Sequence, residues 1–294
     1  MRKLTNIILV LLLIAGVTIL YYPSLSNYVL MLNIVEGNSS YLTYYGSLSD
    51  EEKAEQLNKA KEYNQALLEM NEREGLEESV DILKQYNDIL NFEGIIGYLH
   101  VPKINVYLPI AHGTAYDILE NNVGHIQRTA FPVGGEGTHC VLTGHSGLVT
   151  AEILTDLDQL ELGDEIYLDV LDKKRVYKVE KIEVIEPSDT DRLVPYEGKD
   201  YVSLITCTPY GVNSHRLVVR TEFVREEPID TTINTAASVI ENPLYQYFAV
   251  MLGVILVWIL FNLLMKKLFN RTSKKKSSSE NSDNDGSHFT QNND

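Results

Sequence analysis

Two long apolar blocks without a charge, one near each end of the chain, most constrain what it can fold into. Residues 4–22 (LTNIILVLLLIAGVTILYY) follow Met1-Arg2-Lys3, and residues 244–265 (LYQYFAVMLGVILVWILFNLLM) precede Lys266-Lys267. Each approaches the ~20 apolar residues that a helix needs to cross ~30 Å of hydrocarbon. Tyr21, Tyr22, Tyr245 and Tyr247 stand at block ends, where aromatic rings favour the headgroup level. Arg2 and Lys3 flank the first block; Lys266, Lys267, Arg271, Lys274, Lys275 and Lys276 follow the second. By the positive-inside rule both basic flanks belong in the cytoplasm, which leaves residues 24–243 outside. A cleaved signal peptide is the alternative for the first block, but its apolar run is long and no small-x-small site precedes Tyr21-Tyr22-Pro23. A buried core helix is the alternative for the second, and the basic pair with a polar run behind it favours a span. No sorting pentapeptide or lipidation cysteine precedes that block, which weighs against a wall-anchoring tail.

Charge divides the chain in the same way. Over 294 residues the formal net charge is −16, which argues against a nucleic-acid partner. Eight of the 25 basic residues lie in the two flanks and four of the 41 acids in the tail, leaving 17 basic against 37 acidic residues, a net −20, between the blocks. Residues 273–294 (SKKKSSSENSDNDGSHFTQNND) offer only Phe289 to bury and read as a disordered tail. With Gly 18, Pro 9 and Cys 2, collagen-like and disulfide-scaffold readings fail, and a 44% hydrophobic fraction supplies a core.

Between the blocks the hydrophobic period changes once. Ser49-Asp50-Glu51-Glu52 is a capping-box signature, and Ala54, Leu57, Ala60, Tyr63, Leu67 and Met70 recur at helical spacing. Gly75 breaks this run, and Leu83, Tyr86 and Leu90 mark a second short helix. After Gly94 the period is two: Ile104, Val106, Leu108 and Ile110; Ile166, Leu168 and Val170; Leu217, Val219, Thr221 and Phe223. A parity shift between Val179 and Ile182 predicts a bulge. Strands separated by turns such as Gly134-Gly135 and Leu162-Gly163-Asp164 predict a mainly β fold, a closed or nearly closed barrel.

Three stretches in this β region carry chemistry: Val141–Gly147 with His145, Ser203–Pro209 with Cys207, and Asn213–Val219 with Arg216. Pro209 and Gly211 turn the chain between the last two, so adjacent antiparallel strands bring Cys207 and Arg216 within reach of each other. A cysteine attacks as its thiolate, a histidine exchanges that proton and returns it to a leaving amine, and an arginine donates to a developing oxyanion. His145, Cys207 and Arg216 thus form an acyl-transfer set. Cys140 is the rival thiol; strand alternation turns it away from His145, so it reads as core filler rather than a disulfide partner of Cys207. His215 neighbours Arg216 and points to the other face. His100, His112, His125, His139 and His288 show no metal-ligand spacing, and the acidic runs lack that of a calcium loop, so neither metal nor cofactor is expected.

The segments THCVLTGHSGL, SLITCTPYGVNSHRLVVR and GYLHVPKINVYLPIAHGT, spanning Gly94 to Phe223, resemble the sortases, membrane-bound cysteine transpeptidases of Gram-positive bacteria. His145 matches the family's general acid/base, Cys207 its nucleophile and Arg216 its oxyanion-stabilising arginine. The resemblance implies an eight-stranded sortase-type β-barrel that cleaves Thr–Gly of an LPxTG-like sorting signal and passes the thioacyl group to an amine. The PYGVNSHR wording, the helical extension and the C-terminal span look most like the class C branch, whose amine is a lysine of the next pilin. The implied partners are pilin subunits and the membrane. The implied layout is an anchor at 1–23, a helical, lid-equivalent extension at 24–93, the catalytic barrel at 94–228, a linker at 229–243, a transmembrane helix at 244–265 and a cytoplasmic tail at 266–294. A housekeeping sortase acting on peptidoglycan and a non-catalytic membrane-anchored scaffold are the competing readings. Two features depart from the class C pattern: no Asp-Pro dipeptide, the usual lid anchor, occurs between Ser49 and Gly94, and Ser146 stands where many relatives carry arginine.

Overall fold

The computed structural model describes residues 2–72, 84–147, 153–189, 193–195, 197–229 and 243–285. The chain divides into two compact units, Pro23–Glu241 and the pair Met1–Tyr22 with Asn242–Asp294. The larger unit takes the C-terminal part of α1 (Arg2–Ser47), then α2 (Asp50–Glu72) and the strands β1 (Ile95–Val101), β2 (Val106–His112), β3 (Val123–His125) and β4 (Thr138–Thr143). A one-turn helix, α3 (Tyr116–Leu119), lies between β2 and β3. Strands β5 (Glu165–Val170), β6 (Lys173–Ile185), β7 (Asp200–Thr208) and β8 (His215–Pro228) complete a closed barrel in the order β1-β2-β3-β4-β7-β8-β6-β5. Within it β2–β3 and β4–β7 run parallel.

Alternation along each strand decides what enters the core. Leu99, Leu108, Ile110, Leu142, Ile166, Leu168, Val202, Leu204, Leu217 and Val219 are buried in one cluster, as a period of two requires for strands that wrap a common interior. The β6–β8 register shifts between Val179 and Lys181, where the parity change predicts a bulge, and shifts again between Val176 and Tyr177. Ile104 does not join β2: it closes the 3-10 turn Pro102–Ile104, and left-handed Asn105 (φ 54°) redirects the chain before Val106.

The helices divide differently from the sequence expectation. Ser49 caps α2 reciprocally: its hydroxyl accepts from the Glu52 amide (3.2 Å) and its amide donates to the Glu52 carboxylate (2.8 Å). Of the second helix expected up to Leu90, Lys84 is helical and Tyr86–Asp88 form a 3-10 turn. Leu90 at φ 51° is incompatible with helix, which stops it short. Residues 73–83, part of the lid-equivalent extension 24–93, lie outside the described residues. Met31, Ile34, Tyr41 and Tyr45 of α1 are built into the main core. Tyr41 alone ties two strand regions, donating to the Ile96 carbonyl and accepting from the Leu171 amide, both at 3.0 Å.

In the smaller unit the N-terminal part of α1 meets α4 (Leu244–Asp285) through a Thr18–Tyr247 hydroxyl pair at 3.2 Å and an edge-on Tyr21–Tyr247 contact. Both helices are long and apolar enough to cross a membrane, and their apolar side chains are exposed. The tail expected to be disordered from residue 273 is instead helical through Asp285. Extending a nucleated helix is cheap, and no Pro or Gly interrupts the run until Gly286.

Candidate active site

The barrel's outer surface over β4, β7 and β8 carries the three residues singled out above. Because Val202 and Leu204 enter the core, Ser203, Ile205 and Cys207 face outward. In the antiparallel β7–β8 pair Cys207 is the direct cross-strand partner of Arg216, and Ile205 that of Val218. Opposed residues on one face have Cβ atoms ~4.5–5.5 Å apart, so the guanidinium and thiol belong to one patch. β4 lies on the other side of β7 in parallel register, Thr143 beside Ile205. Two residues further along both chains are His145 and Cys207. The pairing holds beyond the strand: the Gly144 amide donates to the Ile205 carbonyl (3.1 Å) and the Thr206 hydroxyl to the Gly144 carbonyl (2.8 Å). All three side chains therefore stand at one end of three adjacent strands, and each is partly exposed.

The surroundings fix this end of the sheet. Arg216 donates from Nη1 to the carbonyls of Asn213 (3.3 Å) and His215 (3.0 Å). The loop before it is closed by the Pro209 carbonyl, which accepts from the Val212 (3.0 Å) and Asn213 (2.9 Å) amides. His215 turns away, with Nε2 3.2 Å from Glu186 and Nδ1 2.8 Å from the Ser214 hydroxyl. An apolar floor of Val141, Ile185, Ile205 and Val218, with Ile126 and Leu193 packed on it, covers the same outer face. Cys140 lies inside the barrel as a free thiol. Burial, reinforced by the Asp200 carboxylate, pushes that thiol well above its ordinary pKa, so it is protonated and inert.

The other described histidines are structural. His125 is wholly buried, its pKa lowered to about 4 by burial, with Nε2 2.9 Å from the Ala130 carbonyl. His139 bridges the Val194 carbonyl (2.9 Å) and the Ser203 hydroxyl (2.8 Å). Among the described residues no group of three His, Cys, Asp or Glu side chains could hold a metal ion. Two exposed tyrosines at this end were not picked out from the sequence. Tyr116 lies against His145 at a centroid distance of 5.8 Å, and Tyr210 lies over Gly147. Neither contact has a periodic signal, because Tyr116 opens the one-turn helix α3 and Tyr210 lies in the β7–β8 turn.

Known proteins place this barrel. The family model for the sortase domain matches residues 99–224. Sortase D of Bacillus subtilis is 33% identical over 115 residues, 39% of this chain and 55% of that protein, so the chain spans about half the length of this curated relative. The solved Streptococcus pneumoniae sortase C is 36% identical with a TM-score of 0.59, over 66% of this chain and all of that one. Sortase C of Clostridium perfringens is 39% identical with a TM-score of 0.57, over 65% of this chain and 99% of that one. A barrel of this topology with a cysteine facing an arginine across β7–β8, and relatives of this identity aligned over their whole resolved length, put the chain in the sortase family.

Proposed function

We propose that the protein is a membrane-anchored cysteine transpeptidase that joins pilin subunits. The observation that carries the reading is the Cys207–Arg216 cross-strand pair with His145 at the end of the neighbouring parallel strand. In the proposed cycle the thiol proton of Cys207 passes to His145, and the sulfur attacks the threonine carbonyl carbon of an LPxTG-like signal. Arg216 donates hydrogen bonds to the oxyanion. The Thr–Gly C–N bond breaks as His145 returns its proton to the leaving glycine amine, which leaves a thioester on Cys207. A pilin lysine amine then attacks the thioester; an amide forms, and the thiol is restored. The apolar floor beside Cys207 suits the aliphatic part of such a signal.

Relatives support the substrate class. The Clostridium perfringens sortase C was solved with the C-terminal cell wall sorting motif, and the Streptococcus pneumoniae structure bears on pilin substrate specificity. The two apolar helices and their basic flanks support a two-pass topology with the barrel outside and both termini in the cytoplasm. The test is incubation of the full chain, in detergent or membranes, with pilins that carry the signal. Covalent ladders that survive boiling in detergent and vanish in Cys207→Ala are expected. Ladders that persist in Cys207→Ala would overturn the nucleophile, and single conjugates to peptidoglycan without ladders would overturn the pilin acceptor.

A further inference from the structure

We propose that Tyr116 is a positioning residue for His145, holding the imidazole so that Nδ1 is the nitrogen that exchanges the proton. The proposal rests on the reading of His145 as the group that takes the proton from Cys207.

The ring of His145 is unusual among the described histidines. Its Nε2 is sealed from solvent and has no hydrogen-bond partner among the described residues. The backbone is held, since the His145 carbonyl accepts from the Leu154 amide at 3.0 Å. A ring that makes no hydrogen bond through Nε2 is oriented there by packing. The aromatic partner is Tyr116, with planes tilted by 57° and centroids 5.8 Å apart, inside the range of favourable aromatic pairs. Tyr116 is itself 68% exposed, so burial of its own surface does not explain where it sits. With Nε2 closed off, Nδ1 is left to exchange a proton.

The turn that leads into α3 and Tyr116 is stiff. His112, the last residue of β2, has Nε2 2.9 Å from the Ile89 carbonyl and Nδ1 3.1 Å from the Gly94 carbonyl. The next amide, Gly113, donates to the His125 carbonyl (3.1 Å) and to the Tyr86 hydroxyl (3.0 Å). Ala115 then caps α3 with its carbonyl, which accepts from Ile118 and Leu119, both at 3.1 Å. Close approach of this turn to β3 needs a glycine: a Cβ on Gly124 would stand 2.4 Å from the Gly113 oxygen. At the end of the His145–Gly147 turn, Tyr210 packs so tightly that a Cβ on Gly147 would come within 2.8 Å of its ring. Two tyrosines thus contact the turn, and Tyr116 is the one that meets the imidazole.

The experiment compares Tyr116→Ala and Tyr116→Phe in the full chain. Turnover of a fluorogenic sorting-signal peptide is measured beside the 15N signals of the His145 ring. Loss of the ring in Tyr116→Ala is expected to lower kcat roughly tenfold, short of the ~10²-fold that a 1 Å misplacement can cost, with KM within twofold. Tyr116→Phe, which keeps the ring, is expected to restore kcat to within twofold. The His145 Nε2 signal is expected to move in Tyr116→Ala, as water reaches it, and to stay in place in Tyr116→Phe. Gly124→Ala, which displaces the turn without altering the tyrosine, is expected to move the same signal. A kcat within twofold of wild type in Tyr116→Ala, or equal impairment in both Tyr116 variants, would overturn the proposal. A wild-type chain that shows no Cys207-dependent turnover would instead count against the transpeptidase reading. The nitrogen signals would then decide the positioning role alone, and an unmoved His145 Nε2 signal in Tyr116→Ala would reject it.

Discussion

The barrel's outer surface is finished in two different ways. Over β1, β2 and β5, α1 lays Tyr41 against Tyr98, with Tyr45 packed on Tyr41 and Tyr107 donating to Asn38 at 2.9 Å. Over β4, β7 and β8, a cluster of four buried apolar residues runs toward a partly exposed cysteine. The two faces share one pleat and one core. The first is closed by the chain's own helix, where Asn38 and Tyr41 find partners at fixed positions. The second ends at strand termini, where side chains are held by backbone hydrogen bonds and remain reachable. Stability and the proposed chemistry thereby fall on opposite sides of one barrel, and changes on one side are expected to leave the other nearly untouched.

Tyr41→Ala should separate them with the largest effect. It deletes a fully buried ring and leaves the Ile96 carbonyl and Leu171 amide without their partner. A loss of about 3–5 kcal/mol in unfolding free energy is expected, in line with aromatic truncations in cores. Denaturant titration measures it. The rate of Cys207 alkylation under native conditions should stay within about twofold of wild type. A large change in that rate would show that the two faces are coupled through the barrel.

Arg216→Lys makes the opposite cut. Lysine keeps the charge but loses the planar, multi-donor fork, so turnover should fall by ~10²–10³, as for loss of an oxyanion donor elsewhere. Thermal stability should be nearly unchanged, because the side chain is partly exposed and donates to the carbonyls of Asn213 and His215, close to it in the chain. Near-normal turnover would show that positive charge alone suffices.

The same contrast explains what could be read from the sequence. The juxtaposition of Cys207 and Arg216 is legible because both sit at strand ends of period two, with Pro209 and Gly211 marking the turn that opposes them. The α2 cap was legible because Ser49 and Glu52 meet within one helical turn. The role of α1 beyond Pro23 was not legible. Tyr41 bonds to residues 55 and 130 positions away, and no local period announces such a partner. Tyr116 escaped notice for a related reason: its contact with His145 depends on the Gly113 turn and the β2–β3 register rather than on spacing. The extent of α4 is not legible, because residues 273–285 offer nothing to bury, whereas a helix already started needs only the absence of breakers.

The smallest effect lies in the closed face, at Asp169. This β5 residue pairs with Tyr98 of β1 and is 4% exposed, and its Oδ1 has no hydrogen-bond partner among the described residues. Burial raises its carboxyl pKa from 3.8 to about 6, opposed by Lys174, its cross-strand partner on β6. The folded chain therefore holds a proton that the unfolded chain releases between about pH 4 and 6. Over that window the native state binds more protons than the unfolded one, so stability is greatest at the acid end and falls as pH rises. The fall amounts to roughly 1–3 kcal/mol, given 1.36 kcal/mol per pKa unit, and it is complete above about pH 6, where Asp169 is ionised in both states. Asp169→Asn removes the charge while keeping the shape. At pH 7.5 it should raise Tm by a few degrees, and Asp169's share of the stability slope between pH 4 and 6 should vanish. Turnover at Cys207 should not change, since Asp169 lies on the face that α1 covers. A variant less stable than wild type at pH 7.5 would mean that ionised Asp169 is compensated in the native state, and that the closed face depends on its charge.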